Sequence, residues 1–586
     1  MRFRDSAIVV ACLTAAAGCL FVAGSQLDYI NGQRRQMNLV RNEPLENAPP
    51  SLAFATVAMG AFRGLVVDIL WMRADRLKEQ KQFFDAKQLA EWITVLQPRF
   101  ASVWEFQAWN MAYNISVCIP ASQPAERWRW VKNGYELLRD RAIPLNPTSM
   151  GLYQELARIF HHKIGSVSDD AHKYYKLQLA AAMEPLLDSA STGYFDRLAA
   201  APQHLEQIAS EAAVAEIITA LRGADEKFGD SEEFAGSYLL LRRKPAAFDP
   251  AAVKVIDAFR GTQALDRLDL FAKAWQLRNV WKLEPKLMRE LNGIYGPIAE
   301  KDPNSHLPLD WRHPAAHALY WSVKGLQEAG EKEYSVDETN TDRMVGHSLQ
   351  ELFYNGRIFV YNAPPDEAAA EEVPLGGREI FLRPDLGMFE PCNESRLATL
   401  AKYKQLDAAS YESLQNGHRN LLKNAVLLFY QAGLEKKARR IYDRMRQLYP
   451  LDEFKSPLVV FVRNKIREEL NAIGVNDAKQ MVIMLLRESY LRYALRDDDG
   501  AFGREKMARE VYEDYQGRYS DQHRIDLPEF SLLRYFALID FLNDWQFPES
   551  LRRSLLARIK LERPELAEQL RRQERELMEK AVDSSQ

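Results

Sequence analysis

The predicted fold rests on one stretch, FFDAKQLAEWITVLQPRFASVWEFQAWNMAYNISV, which spans Phe83–Val117. Apolar residues recur in it at intervals of three and four residues, a spacing typical of amphipathic helices. Pro98 interrupts this pattern, because proline cannot continue the hydrogen-bond ladder of a helix. The stretch therefore predicts the second helix of one helical hairpin, a turn at Pro98, and the first helix of the next hairpin.

The same pattern returns near residues 135–162 and 422–450, and its spacing resembles that of the tetratricopeptide family. With Pro98 at the family's terminal proline position, the apolar positions of one unit fall on Leu70, Ala74, Leu77, Ala86, Ala90 and Ile93. First helices of later units match at Trp104, Ala108 and Met111, then at Tyr153, Leu156, Ala157 and Phe160, and the unit from Leu422 to Pro450 matches best. The resemblance implies stacked helical hairpins, because one hairpin alone cannot bury its apolar face.

We therefore predict an all-α fold, a tetratricopeptide-like solenoid of helical hairpins with a helical middle region and one small β-hairpin insertion. The β-hairpin is predicted from two β-prone runs, Arg357–Tyr361 and Glu379–Leu382. The predicted parts are an N-terminal anchor or signal (1–27), a linker (28–50), N-terminal repeats (51–165), the helical middle region (166–340), the insertion (341–392), C-terminal repeats (393–550) and a charged C-terminal helix (551–586).

The N-terminus carries the one targeting signal that the sequence suggests. Arg2 and Arg4 precede an uncharged run from Ser6 to Gln26, which is long enough to cross a bilayer as a helix. Three interpretations are open: a signal cleaved after small residues, a lipoprotein signal at Cys19, and an uncleaved single-pass anchor. The length favours the anchor. It predicts an inner-membrane protein attached through residues 6–26, with the bulk of the chain on the periplasmic side.

The composition and the missing motifs argue against nucleic-acid binding, cofactor binding and metal binding. The net charge of −4 provides no global field that would attract nucleic acid, so no nucleic-acid partner is expected. We find no phosphate-binding loop, dinucleotide fingerprint or nucleophile elbow, and we expect no cofactor. His313 and His317 have the spacing of a helical metal pair, but Pro314 is a natural first helical residue and would leave His313 outside the helix. No metal site is therefore expected.

What remains is surface recognition by proteins. In tetratricopeptide proteins, side chains on the inner face of the first helices commonly bind extended segments of partner proteins. By this resemblance, the candidate partner-binding residues are Glu105, Trp109, Tyr113, Gln154, Arg158, His161 and His162. Aromatic and arginine side chains dominate the binding energy of many interfaces. The competing interpretation buries Trp109 and Tyr113 under residues 51–72 or under the turn at 119–127.

The alternative function is an enzyme on an α/α framework that processes carbohydrate with two carboxylates in the 300–390 region. Asp302, Asp310 and Glu351 are candidates for such a pair. Glycoside hydrolysis requires the two carboxyl groups to lie about 5–10 Å apart. The sequence predicts a binding scaffold first, because no motif singles out any of these carboxylates.

Overall fold

The computed structural model describes residues 62–187, 191–299, 302–329, 336–362, 378–432, 434–472, 478–519, 527–543 and 549–583, with Gly18 and Phe547. These residues are almost entirely helical, with two short antiparallel strand pairs, which confirms the predicted all-α class. Apart from Gly18, the predicted anchor lies outside this part of the chain. None of the described helices combines the length and apolar character that a membrane crossing requires.

The N-terminal part folds into antiparallel helical hairpins around the proline turns. Helix α1 pairs with α2, and α3 pairs with α4 and also contacts α5. In α3, α4 and α5 a wide π-helical turn interrupts the regular helix, at Asn110–Ile115, Leu138–Ala142 and Ile159–Ile164. The helices are α1 (Phe62–Glu79), α2 (Phe83–Leu96), α3 (101–118), α4 (124–145), α5 (150–164) and α6 (His172–Met183).

Two of the proline turns are closed by the same hydrogen bond. The indole Nε1 of Trp104 donates to the carbonyl oxygen of Pro98 at 2.8 Å. The hydroxyl of Tyr153 donates to the carbonyl oxygen of Pro147 at 2.9 Å, across the same six-residue interval. Each bond satisfies a carbonyl group that the ended helix leaves without a partner. The first aromatic residue of each hairpin therefore packs in the core and also stabilises the preceding turn through a hydrogen bond.

Helix α1 is buried on one face only by the residues that the structure describes. Val67 and Ala74 are buried against α2, as the hairpin pattern predicts. Leu65, Ile69 and Met72 lie on the opposite face and are 58%, 53% and 63% exposed. Helix α1 therefore has apolar side chains on two faces, and the described residues bury only one of these faces.

The middle region is helical as predicted, and part of it has a core of its own. Buried side chains from Leu205 to Ala272 form a hydrophobic cluster separate from the main core. The part from Leu205 to Ala272 is therefore a helical bundle placed within the series of hairpins. The helices of the middle region are α7 (Thr192–Ala200), α8 (Leu205–Ala209), α9 (Ala212–Ala224), α10 (Phe234–Arg243), α11 (Pro250–Ala258), α12 (263–281) and α13 (Pro285–Tyr295), with 3₁₀ turns at Glu184–Leu186, Glu226–Phe228 and Pro245–Ala247.

The hairpin series resumes with α14 (Pro314–Ala329), which packs along α5 although about 150 residues separate the two helices. A Cβ atom at Gly325 would come within 2.6 Å of the Cβ of Tyr153. This glycine therefore allows the two helices to approach closely. Helix α15 (Val336–Asn355) follows and contacts both α14 and α5, so α3, α5 and α15 are successive neighbours.

Two antiparallel strand pairs are present, of which the sequence predicted one. Strands β3 (Arg357–Asn362) and β4 (Arg378–Arg383) form the predicted hairpin, with Val360 opposite Ile380. Strands β1 (Ile298–Ala299) and β2 (Asp302–His306) were not predicted. The amide of Leu307 donates to the carbonyl of Pro297, which turns the chain back immediately after α13.

The C-terminal part returns to helical hairpins, again as predicted. Helix α17 pairs with α18, and α20 pairs with α21. Pro564 divides the expected single C-terminal helix into α23 and α24, because a proline N–H is missing from the ladder. The helices are α16 (Phe389–Tyr403), α17 (Ala408–Gln431), α18 (Glu435–Leu448), α19 (Leu458–Ala472), α20 (Ala478–Ala494), α21 (Asp498–Tyr519), α22 (Phe530–Asn543), α23 (Glu549–Glu562) and α24 (Pro564–Asp583), with 3₁₀ turns at Leu386–Met388 and Asp452–Phe454.

Candidate functional site

The candidate site is the surface shared by the first helices α3, α5 and α15. Its centre is an aromatic row that consists of Trp109, Tyr113 and His162. The rings of Trp109 and Tyr113 stack at a centroid distance of 6.2 Å, and Tyr113 lies 5.8 Å from the ring of His162. Trp109 and Tyr113 are half-buried and His162 is exposed, so the row is open to solvent along part of its length.

Two cations hold Tyr113 in the row. The guanidinium of Arg158 lies 5.0 Å from the centre of the Tyr113 ring, and the ammonium of Lys163 lies 5.4 Å from it. Such contacts contribute roughly 0.5–2 kcal/mol each, depending on solvent exposure. Burial raises the pKa of the Tyr113 phenol, and its hydroxyl donates to the carbonyl of Arg158 at 3.4 Å. The neutral Tyr113 ring, which belongs to α3, is therefore held against α5 by these contacts.

Carboxylates border the row on one side. Arg158 makes a bidentate pair with Glu155, with both N–O distances at 2.8 Å. Burial raises the pKa of Glu105, and the negative charges of Glu155 and Asp337 raise it further. Gln154 is half-buried on the same helix. The predicted residues Glu105, Trp109, Tyr113, Arg158 and His162 are thus brought together.

His161 faces away from this row and towards α15. Its ring lies 6.2 Å from the ring of His347. The two adjacent histidines point in different directions, as neighbouring residues on a helix do, within the π-helical turn Ile159–Ile164. Burial lowers the pKa values of both His161 and His162, so both are neutral near pH 7. The predicted pair therefore contributes to two neighbouring parts of the surface.

Helix α15 supplies site residues that the sequence did not nominate. His347 and Arg343 lie one helical turn apart on the face that meets α5. The sequence could have indicated them, because α15 is also the first helix of a hairpin. The inner-face repeat positions that selected Arg158 and His162 on α5 would then apply to α15 as well. The long insertion between α5 and α14 hid this, because the repeat spacing could not be carried across the middle region.

A second candidate site is a cavity of about 790 Å³ beside the base of the β3–β4 hairpin. Its floor is apolar, with Leu386, Phe389 and Phe429, and its walls carry charges of both signs, including Glu390 and Arg440. Burial raises the pKa of the Glu390 carboxyl, Arg444 opposes that shift, and Glu394 adds to it. The mixed charge of the walls favours no single class of ligand, so the aromatic row is the more specific site.

The carboxylates proposed for the alternative enzyme each have a local partner. Asp310 makes a bidentate pair with Arg312 at 2.9 and 2.7 Å. Glu351 accepts a hydrogen bond from the side-chain amide of Asn355 at 3.0 Å, and burial raises its pKa. Asp302 accepts a hydrogen bond from the backbone amide of Asn304 at 3.1 Å. Each of the three carboxylates therefore has a hydrogen-bond partner within four residues of it in the sequence.

The histidines at the start of α14 are part of the packed core. His313 precedes the helix, as expected, and its Nδ1 accepts a hydrogen bond from the amide of Ala315 at 3.0 Å. His317 Nε2 donates to the carbonyl of Trp311 at 2.9 Å, and its ring stacks on Phe160 at 4.9 Å. Both side chains are fully buried. One ring nitrogen of each histidine therefore bonds to the backbone, whereas His313 Nε2 and His317 Nδ1 are buried with no hydrogen-bond partner among the described residues.

The burial of His317 predicts that the chain loses stability in acid. Burial lowers the pKa of His317 to about 4, the nearby Arg139 lowers it further, and the Trp311 carbonyl opposes the shift. An unfolded histidine has a pKa of about 6.5, so between these values the unfolded state binds more protons, and stability falls as the pH is lowered below 6.5. The expected loss is on the order of 1–2 kcal/mol at pH 5 from this residue.

The measurement compares urea unfolding midpoints at pH 7.5 and pH 5 for the native chain and for His317→Gln. We expect a smaller pH effect in the variant. His204→Gln, which changes an exposed histidine on the bundle, is the control and should keep the native pH effect. Equal pH effects in the native chain and His317→Gln would show that His317 does not carry the acid sensitivity.

Comparison with models of known protein families and with curated proteins finds no match to this chain.

Proposed function

We propose that the chain is a membrane-anchored helical-repeat scaffold of the tetratricopeptide type, which binds an extended segment of a partner protein in the cell envelope. The binding surface is the face shared by α3, α5 and α15. The observation that carries the proposal is the partly open row of Trp109, Tyr113 and His162 with Arg158 stacked on it. Half-buried aromatic rings beside a guanidinium form the kind of site in which interface binding energy concentrates.

Successive first helices suit an extended ligand. An extended chain advances about 3.3 Å per residue, and adjacent packed helices lie about 8–10 Å apart, so one residue in three can contact each helix. The aromatic row spans α3 and α5, and the His161–His347 contact continues the surface to α15. A segment of about eight to ten residues would cross all three helices.

The anchor is part of the same proposal. An apolar N-terminal run at residues 6–26 would hold the scaffold at the inner membrane and leave the repeats on the periplasmic side. The polar residues of the linker at 28–50 would then separate the binding surface from the bilayer. This arrangement supports a role in which the scaffold keeps envelope proteins close to the membrane.

Site-specific photo-cross-linking in cells tests this function. Benzoylphenylalanine in place of Trp109 is expected to cross-link a defined partner, and the adduct should be recovered in the membrane fraction. Tyr113→Ala or Arg158→Ala in the same chain should reduce the yield about tenfold, because each removes a contact from the row. The matched control carries the photo-reactive residue at Phe502, a 57% exposed aromatic side chain on α21.

The proposal fails if position 109 yields no adduct, or if positions 109 and 502 yield the same set. If position 109 yields a defined adduct that appears only in the soluble fraction, the proposed scaffold function stands and the proposed membrane anchor is rejected.

A further inference from the structure

A buried arginine lies on the second helix next to the candidate surface. Arg396 of α16 is 4% exposed, and its guanidinium passes between α15 and α17. A Cβ atom at Gly346 would come within 3.0 Å of its Nε and Cζ atoms, and one at Gly417 within 3.6 Å of its Nη1. The absence of side chains at these two glycines therefore provides the space that the guanidinium occupies.

Arg396 has no counter-charge among the residues that the structure describes. Its Nη2 donates to the side-chain oxygen of Gln350 at 3.0 Å, and its buried Nε has no partner among those residues. Burial lowers the pKa of the guanidinium, and the nearby Cys392 and Tyr354 oppose the shift only in part. A buried charge without a partner is costly, so this arrangement requires a reason beyond packing.

The chain neutralises buried cations elsewhere. Lys163 and Arg127 are equally buried, and both pair with the carboxylate of Asp169 at 2.6 and 3.1 Å. Arg396 differs from these two cations because no carboxylate among the described residues pairs with it.

The surroundings of Arg396 include a second cation, Arg343, and a neutral histidine, His347, which lies at the surface. Burial lowers the pKa of His347 to about 4, with further contributions from Arg396, His161 and Arg343. Arg343 bonds to two neutral side chains, Asn340 at 3.5 Å and Ser410 at 3.3 Å. His347 is exposed to solvent, so an anion can approach this region from outside. The region adjoins the aromatic row through the contact between His347 and His161.

We propose that Arg396 binds the side-chain carboxylate of an aspartate or glutamate in the segment that the aromatic row holds. This inference rests on the proposed function, because the same segment occupies both places. A guanidinium presents two parallel N–H donors that match the two oxygens of a carboxylate. The ligand then supplies the counter-charge that the described chain lacks, and an uncharged amide at the same place leaves Arg396 unpaired.

A peptide selection tests the proposal on the full chain. The probe is a phage-displayed library of random peptides of about 12 residues, a length that covers the three helices. We expect the enriched peptides to share an acidic residue at a fixed distance from an apolar or aromatic one. A synthetic fluorescent copy with that acid changed to its amide should bind at least about tenfold more weakly by anisotropy, the usual cost of an unpaired buried charge.

The variant Arg396→Gln tests whether Arg396 causes the difference in affinity between the acidic peptide and its amide copy. In it, the acidic peptide and its amide copy should bind within about twofold of each other, because neither finds a cation. Arg446→Gln, which changes an exposed arginine on α18, is the matched control and should keep the native ratio. The amide copy is measured on the native chain, so that comparison does not depend on how any variant folds.

The outcomes separate the two proposals. If no peptide is enriched, the proposed function and this inference both fail. If peptides bind and Tyr113→Ala abolishes binding, but the acidic and amide copies bind equally to the native chain, only the assignment of Arg396 is overturned. A native ratio that persists in Arg396→Gln also overturns it.

Discussion

Replacing Gly503 with alanine is expected to separate the two halves of the C-terminal hairpin series. Gly503 lies on α21 against the end of α17, where an added Cβ atom would overlap the carbonyl oxygen of Gln431. A backbone carbonyl cannot rotate away as a side chain can, so the two helices must move apart. Overpacking in a well-packed interior typically costs 1–3 kcal/mol, and we expect this change to cost about 3 kcal/mol or more.

The control for this prediction is Gly293→Ala. Gly293 lies near the C-terminal end of α13, and a Cβ atom added there would have no neighbouring atom within 4 Å, so the methyl group meets open space. Alanine favours helix over glycine by about 0.5–1 kcal/mol, and this variant should be slightly more stable than the native chain. Thermal unfolding of the two variants tests the contrast. Equal midpoints would mean that α17 and α21 do not pack as closely as the structure has them.

Removing the carboxylate of Asp169 is the second change with a large expected effect. Asp169 accepts hydrogen bonds from Arg127, Lys163, the amide of Ala171 and the hydroxyl of Tyr175. Asp169→Ala leaves two buried cations, Arg127 on α4 and Lys163 on α5, without their carboxylate partner. Breaking a buried ion pair in this way costs about 3–5 kcal/mol, and we expect a loss of that size.

Asp170→Ala is the matched control, because it removes an exposed carboxylate at the next position. Surface substitutions of this kind usually change stability by about 0.5 kcal/mol or less. Urea unfolding of both variants near pH 7 measures the difference. Similar midpoints for the two variants would show that Arg127 and Lys163 find other partners.

The pH dependence of the Asp169 contribution has a defined sign. Burial opposes ionisation of Asp169, but hydrogen bonds from Lys163 and Ala171 and the charges of Lys163 and Arg127 outweigh it and lower its pKa. The contribution is therefore present above the pKa of an unfolded aspartate and is lost as the pH falls through the lower folded value. The acid sensitivity from Asp169 thus begins below that from His317.

The features that follow from local sequence were predicted well. The turn at Pro98, the start of α14 at Pro314 and the β3–β4 hairpin all lie where the residues indicate. Each depends on a few adjacent residues, whose backbone preferences do not change with distant packing. The tetratricopeptide assignment itself stays a prediction, because helical hairpins of this kind define a fold class more broadly than one family.

The candidate site was predicted in part. Trp109, Tyr113 and Arg158 meet because they occupy regular positions on two helices that are close in sequence. The different directions of His161 and His162 follow from their adjacent positions on one helix, but the π-helical turn that carries them was not predicted. Arg396 and His347 were missed because their neighbours come from helices far apart along the chain.

The sequence by itself determined the helix ends marked by proline and the pairing of helices as hairpins where the repeat spacing is regular. These properties follow from periodicity and from proline, which act over a few residues. Only the tertiary structure decided that α5 pairs with α14 across the middle region, and that α3, α5 and α15 are neighbours. It also decided that Asp169 neutralises Lys163, whereas the described chain supplies no carboxylate for Arg396. Neighbour choice depends on shape complementarity between distant segments, and charge compensation depends on distance and burial, neither of which spacing along a chain encodes.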